Sequence, residues 1–353
     1  MDFGIAIFSS AHSWKVVKRA EELGFSHAWF YDSQLLAADV YAVMALAAQA
    51  TSRIKLGTGV AIPSNRISPI TASALATLNA LAPGRILFGV GTGFTGRRAM
   101  GLNAVKLADM EAYVDEVYAL LRGETIPIPI EGQQPKARLL HPDRGLINTL
   151  DPIPLHMSAL GPKARDCCAR MQAGWITFAG NEHMANTDLA AMQASWSNGG
   201  HAADALYSTV FTLGRVLEPG EPYDSPKALA QGGPLAAIVF HNLVEADERG
   251  SIINVDPSWA PIVERYKALY RRYQPSDARY LELHRGHLIY LRDDERELIT
   301  ADAVKHLSMT GTVAQLREKI RALEAAGYSQ LAIQIVQDHE DAVEDWARVI
   351  EGL

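Results

Sequence analysis

Gly91-Thr92-Gly93, followed by Gly96, Arg97 and Arg98, is the stretch of this chain with the most chemistry in it. Glycines let a backbone come close to a ligand and take up positive φ. Amides at a helix start and two guanidinium groups suit an anion. The stretch follows Ile86–Val90, an apolar run about as long as a buried strand. Strand, glycines and arginines in that order predict a cradle for a phosphate or a cofactor. The glycines also spell G-x-G-x-x-G, a dinucleotide fingerprint that needs a second strand ending in an acid roughly 20 residues on. Glu111 has the distance, but it lies inside the helical pattern Leu107, Met110, Val114, Val117, Leu121. No strand-like run precedes the proline-rich Thr125–Ile130 segment. The organisation of a Rossmann site is missing.

Other reactive residues stand at the ends of apolar runs: His12, then Asp32-Ser33-Gln34, then Thr58-Gly59-Val60, then Ser158-Ala159-Leu160-Gly161, and Gln334 near the last run. Asp32 reads as a functional acid or as a helix cap and structural acceptor. Gln334 points either into the barrel mouth or outward. Arg97 and Arg98 bind phosphate or form a solvated helix start. His284 and His287, in HRGH, are spaced as metal ligands can be, but no further ligand is near in sequence, so a structural or pocket-lining role is expected. His156, inside a strand-like run, reads as a satisfied interior histidine.

The elements that position these residues alternate. Strand-like runs at Asp2–Phe8, Ser26–Asp32, Arg53–Val60, Ile86–Val90, Ile153–Ser158, Gly174–Phe178, Leu206–Leu217 and Gln330–Val336 are each followed by a helical pattern. Strict alternation implies right-handed crossovers and a parallel sheet. Eight units close most simply into a (β/α)8 barrel, a TIM barrel, spanning residues 1–353 as one domain. Two segments break the rhythm: a proline-rich loop at Arg122–Pro152, with room for a short hairpin, and an insertion at 219–299, expected to pack beside the seventh strand.

In such a barrel the active site lies at the C-terminal ends of the strands. The first strand carries Ile5-Ala6-Ile7 rather than an H-x-H pair, which argues against amidohydrolase-type metal chemistry, and no metal site is expected. No lysine ends a strand, against a Schiff-base aldolase, and no two acids face across the mouth, against a glycosidase. A small, polar, glycine-rich mouth suits an organic cofactor that carries the hard chemistry. The net charge of −7 argues against nucleic acid, and no apolar run reaches about 18 residues, the length of a membrane span. No signal peptide is read at the start, and Cys167 and Cys168 are adjacent, so a cytoplasmic protein is expected.

The stretch GTGVAIPSNRISPITASALATLNALAPGRILFGVGTG resembles the luciferase-like flavin monooxygenase superfamily, nearest its methylenetetrahydromethanopterin-reductase-like branch. AEELGFSHAWFYDSQ, PLHMSALGPKARDCCARMQAGWI and GTVAQLREKIRALEAAGYSQLAIQIV support the resemblance in the same order. It implies a (β/α)8 barrel, usually dimeric, with FMN or the deazaflavin coenzyme F-420 at its mouth. It also implies a cis peptide at Gly59–Val60 behind the cofactor ring, with Ser33, Thr58, Gly59, Val60, Gly91, Thr92, Gly93, Ser158, Ala159 and Gly161 as cofactor-binding positions. Asp32, Gln34 and His12 are the candidate catalytic residues. Two departures stand out. Ser33 replaces the histidine, and Phe94 the acid, that deazaflavin-dependent dehydrogenases of this kind tend to carry. With Phe94 making the pocket apolar, the expectation leans to reduced FMN, supplied by a separate flavin reductase, acting with O2 on a small organic substrate. The alternatives are a deazaflavin-dependent reductase or dehydrogenase and a non-catalytic flavin-binding protein.

Overall fold

The computed structural model describes residues 1–250 and 259–353; residues 251–258, within the predicted insertion, lie outside the described residues. Eight parallel strands close into a barrel: β1 (Asp2–Phe8), β2 (His27–Tyr31), β3 (Lys55–Thr58), β4 (Ile86–Val90), β5 (Leu155–Ser158), β6 (Gly174–Phe178), β7 (Ser208–Thr212) and β8 (Gln330–Ile335). Closure comes from β8 pairing with both β1 and β7. The (β/α)8 expectation holds. Among the described residues, no helix is long and apolar enough to cross a membrane.

Two cores follow from the alternation of side chains along the strands. The larger lies between strands and outer helices. The smaller fills the barrel with Ala6, Phe8, Trp29, Tyr31, Leu87, Ile176, Phe211 and Ala332. Polar groups inside are joined to one another: the Trp29 indole donates to Gln330 (2.9 Å) and the Tyr31 hydroxyl to Gln334 (3.0 Å). Gln334 therefore points inward.

β3 leaves the ladder early, and the reason is local. The Thr58 hydroxyl donates to the Gly89 carbonyl (2.7 Å) and accepts from the Gly89 amide (3.0 Å), taking the place of a backbone partner. A Cβ at position 89 would stand 2.0 Å from the Thr58 carbonyl oxygen, so only glycine fits. The chain bulges through Gly59 and Val60, whose shared peptide bond is cis as the resemblance implied, and rejoins β4 where the Ala61 amide donates to Gly89 (2.8 Å).

Two sequence expectations need correction. The seventh strand was expected to run over Leu206–Leu217, but it stops at Thr212, and Val216–Leu217 pairs separately with Gly311–Thr312. Its β-branched pattern continues, but Gly214 packs so closely on the Met309 backbone that an added Cβ would lie 2.1 Å from that carbonyl oxygen. The 219–299 segment does more than pack beside β7. Its helices Pro226–Glu248 and Ala260–Tyr270 share a core with Leu283, Leu291 and Leu298, while Leu288 and Ile289 reach across the barrel and join Phe8, Tyr31 and Phe211. The Arg122–Pro152 loop holds the short hairpin for which the sequence left room, Ile126–Pro127 against Lys136–Ala137.

His27 and His156 are buried at the floor of the barrel, around Trp29 and Tyr207. His156 is interior as expected but not satisfied, since its Nδ1 has no hydrogen-bond partner. Burial, then the Lys55 charge, pushes His27 down to about 4; burial, then His27 and Lys55, pushes His156 down to about 3. Both rings are neutral in the fold, so protonation favours the unfolded chain. Their contribution is fully present above the ordinary imidazole value of 6.5 and is lost as pH falls toward 4 and 3. Each ring costs on the order of 1 kcal/mol of stability per pH unit in that window. Urea unfolding between about pH 4 and 7 is expected to show this acid limb, and His156→Leu to flatten it. Gly89→Ala is expected to cost about 3 kcal/mol or more in the same assay at neutral pH.

Candidate functional site

The strand ends bring Val60, Gly91 and Ser158, three of the predicted cofactor-binding positions, into contact. Gly91 lies between Val60 and Ser158, and a Cβ on it would meet Val60 Cγ2 at 2.7 Å and Ser158 Cβ at 3.4 Å. Val60 and Ser158 are half-buried and Gly91 is buried, so three strands contribute to one wall. The Ala159 carbonyl accepts from the Trp175 indole (2.8 Å), which fixes the turn after β5. Gly161 then caps the helix Pro162–Arg170 and is exposed, with nothing within 4 Å of an added Cβ. Gly93 takes φ of +80° and starts the short helix Phe94–Arg98, while the Thr92 carbonyl accepts from Val105 (2.8 Å). Ser33 is half-buried, and its carbonyl receives the amides of Leu36 and Ala37. Thr58 is the exception: its side chain is wholly buried and engaged with Gly89, so it shapes the wall from behind.

Asp32 and Gln34 are brought together, and both are held by neighbours. Asp32 accepts from Arg66 Nη1 (3.1 Å), Asn65 Nδ2 (3.2 Å) and the Ile62 amide (3.3 Å). Arg66 also grips Asp39 (2.5 Å) and lies over the Tyr41 ring. Gln34 accepts from Asn65 (2.8 Å) and donates to the Gly96 carbonyl (3.0 Å). These contacts tie the loop after β3 and the helix after β4 to the end of β2. In this arrangement Asp32 positions the bulged chain, with its carboxylate facing Arg66 rather than open space. His12 is exposed and lies apart from the others, lining a cavity of about 590 Å³ with Ser10, Lys15, Arg19 and Glu340.

The remaining cations have partners too. Arg97 donates to Ser64 (2.7 Å) and to the Asn103 carbonyl. Arg98 pairs with Glu245 (2.5 Å) and covers the Phe94 ring at 3.5 Å. Neither is a free phosphate ligand here. His284 and His287 are buried with a third histidine, His241. Among the described residues no group of three or more His, Cys, Asp or Glu is arranged to hold a metal ion.

The other feature of the mouth is apolar exposure. Leu35, Phe94, Leu160 and Met184, each 43% to 77% exposed, follow the ends of β2, β4, β5 and β6. Exposed apolar side chains at strand ends suit an organic ligand. The sequence reading missed Asn65 and Arg66, although both stand in the quoted S-N-R stretch directly after the bulge. It missed His241 altogether, because only spatial proximity links that residue to HRGH.

A family model described as luciferase-like monooxygenase matches residues 9–330. A 5,10-methylenetetrahydromethanopterin reductase of Methanolobus tindarius is 39% identical over 85 residues, 23% of this chain; the match spans only 26% of that relative's length. Among solved structures, the coenzyme F-420-dependent tetrahydromethanopterin reductase of Methanopyrus kandleri superposes with a TM-score of 0.66 at 22% identity, over 98% of this chain and 97% of that one. An F-420-dependent secondary alcohol dehydrogenase, solved with an F-420–acetone adduct, gives 0.68 at 19%, over 99% of both chains. The oxygenating constituent of 3,6-diketocamphane monooxygenase from Pseudomonas putida, solved with FMN, gives 0.62 at 13%, over 99% of this chain and 96% of that one. At these identities the superpositions speak to the fold. The family match extends over nearly the whole barrel, including the bulge after β3 and the glycines after β4, and so this chain belongs to the luciferase-like monooxygenase family.

Proposed function

We propose that the chain is an oxidoreductase that binds the deazaflavin coenzyme F-420 at the barrel mouth and exchanges a hydride with a small organic substrate. The observation that carries the cofactor site is the close-packed wall of Val60, Gly91 and Ser158 at three strand ends. A flat tricycle matches such a surface, because a side chain at position 91 would already fill the wall. Val60, Gly91 and Ser158 would lie against the ring, and the amides around Gly161 would take a polar tail. The cofactor supplies a carbon centre that gives or takes hydride. The chain's own share is positioning and exclusion of water. Asp32, Asn65 and Arg66 hold the bulge, and Leu288 and Ile289 roof the interior.

The stretch 39% identical to methylenetetrahydromethanopterin reductase supports the deazaflavin. The ground for preferring FMN was an apolar pocket lined by Phe94, and that ground is weak here: the ring is 43% exposed with a guanidinium across it. Reduced FMN acting with O2 is kept as a second reading by one observation: positions 33 and 94 hold Ser and Phe and carry no ionisable side chain.

Titration with F-420 and with FMN, each oxidised and reduced and read by fluorescence, tests the proposal. F-420 is expected to saturate and FMN not. Saturation by reduced FMN with substrate-dependent oxygen uptake would favour the second reading, and binding of neither would overturn both. Gly161→Val has open space for its side chain, so its melting temperature is expected to match that of the parent while cofactor affinity falls about tenfold, roughly 1.4 kcal/mol.

A further inference from the structure

Three buried histidines meet behind the mouth, and the functional reading so far makes no use of them. His241 lies in the helix Pro226–Glu248, while His284 and His287 follow the short helix Tyr280–Leu283. His241 Nε2 is 2.6 Å from Glu295 Oε1, and His284 Nε2 is 2.9 Å from Glu245 Oε1. Each carboxylate has a cation of its own: Arg292 at 2.9 Å from Glu295, which also accepts from the Tyr266 hydroxyl, and Arg98 at 2.5 Å from Glu245. An ionised carboxylate only accepts, so both histidines carry hydrogen on Nε2 and, when neutral, turn a lone pair on Nδ1 inward. Both lone pairs meet the same atom. His287 Nδ1 is 3.2 Å from Nδ1 of His241 and 3.4 Å from Nδ1 of His284. The other nitrogen of His287, Nε2, is 3.3 Å from the hydroxyl of Thr95, the second residue of the helix that starts at the end of β4.

The proton count makes this arrangement bistable. In the neutral cluster the two inward contacts share the single proton on His287 Nδ1, and His287 Nε2 accepts from Thr95. A second proton has a place on Nδ1 of His241 or His284, each beside its own carboxylate. When it enters, His287 must accept at Nδ1 and carry its hydrogen on Nε2, and the bond to Thr95 reverses. The Thr95 hydroxyl thus donates to His287 in one state and accepts from it in the other, which frees its own hydrogen. The charged and titratable groups facing the cluster are Arg98 and Arg249 around Glu245, and Arg292 and Tyr266 around Glu295. Burial, then the two neighbouring imidazoles and Arg98, hold His287 well below the ordinary imidazole range. Burial also lowers His241, against the pull of its hydrogen bond to Glu295.

We propose that Thr95 gives and takes the proton of the reaction at the barrel mouth and that the histidine cluster behind it stores that proton, an inference that rests on the mouth being the cofactor site. In the donating direction the Nδ1–H bond of His241 or His284 breaks as one forms on His287. The Nε2–H bond of His287 then breaks as a new O–H bond forms on Thr95. The former hydroxyl proton of Thr95 passes to the basic atom of the bound molecule. One proton crosses and no electrons change hands. The device supplies the acid–base function that Ser33 and Phe94 lack.

Ring nitrogen-15 NMR of the full chain, with no cofactor added, is expected to find His241 and His284 protonated on Nε2 at high pH. His287 is expected to change from Nδ1–H to Nε2–H as pH is lowered from about 8 to 4, below the ordinary imidazole range because burial lowers His241. A His287 tautomer that stays fixed across that range would overturn the proposal. With the reduced cofactor that the titrations identify, proton release or uptake is followed after rapid mixing with a pH-indicator dye. Thr95→Val is expected to slow it at least tenfold and Thr95→Ser to restore it, with cofactor affinity held within twofold. Equal rates in Thr95→Val and the parent would also overturn the proposal. If neither cofactor binds, the functional reading fails by itself, and the tautomer measurement alone decides whether the cluster switches.

Discussion

The geometry of the mouth depends on the clasp between Thr58 and Gly89. One hydroxyl serves both backbone groups of Gly89, and the Thr58 carbonyl occupies the space that any Cβ at 89 would need. A strand that gives up its ladder at the rim would ordinarily leave buried amides without partners, which is costly. Here the side chain of one residue satisfies them, and the backbone is free to bulge at Gly59 and Val60. Val60 then leans against Gly91, and the wall of the site is the outer surface of that contact. The bulge is held on its far side by Asp32, which receives the Ile62 amide together with Asn65 and Arg66.

That use of Asp32 bears on how the site works. An acid at a strand's C-terminal end in this fold reads as catalytic. Here Asp32, Gln34, Arg97 and Arg98 each have a partner within the protein. The apolar side chains that follow the ends of β2, β4, β5 and β6 stay exposed.

The alternation of strands and helices was legible because it is local: each period shows within about ten residues. The expectations built on it went wrong where a distant contact overrides a local pattern. The β-branched run through Val216 reads as one strand, yet the Met309 backbone packed on Gly214 breaks it. In the same way, nothing near Asp32 in sequence announces Arg66, 34 positions away, and nothing in HRGH announces His241, 46 positions before His287. The glycine motif after β4 reads in the sequence as a cradle for a phosphate or a cofactor. Its arginines are engaged by Ser64 and Glu245, and its glycines serve close packing against Ile62 and Val60.

The polar cluster in the 219–299 segment also explains how that segment finds its place. Its own apolar core would tolerate small shifts against the barrel, since apolar packing is weakly directional. Hydrogen bonds are directional, and a buried polar network is costly when only partly satisfied. Glu245 ties Arg98 of the β4 loop to His284, His287 reaches Thr95 in the same loop, and Gln334 of β8 takes the Leu288 carbonyl. A shift of the segment by a single residue would break all of these contacts together. The network therefore sets the register in which Leu288 and Ile289 cross the barrel. By the same contacts it places a chain of imidazoles directly against the loop that carries the glycine wall.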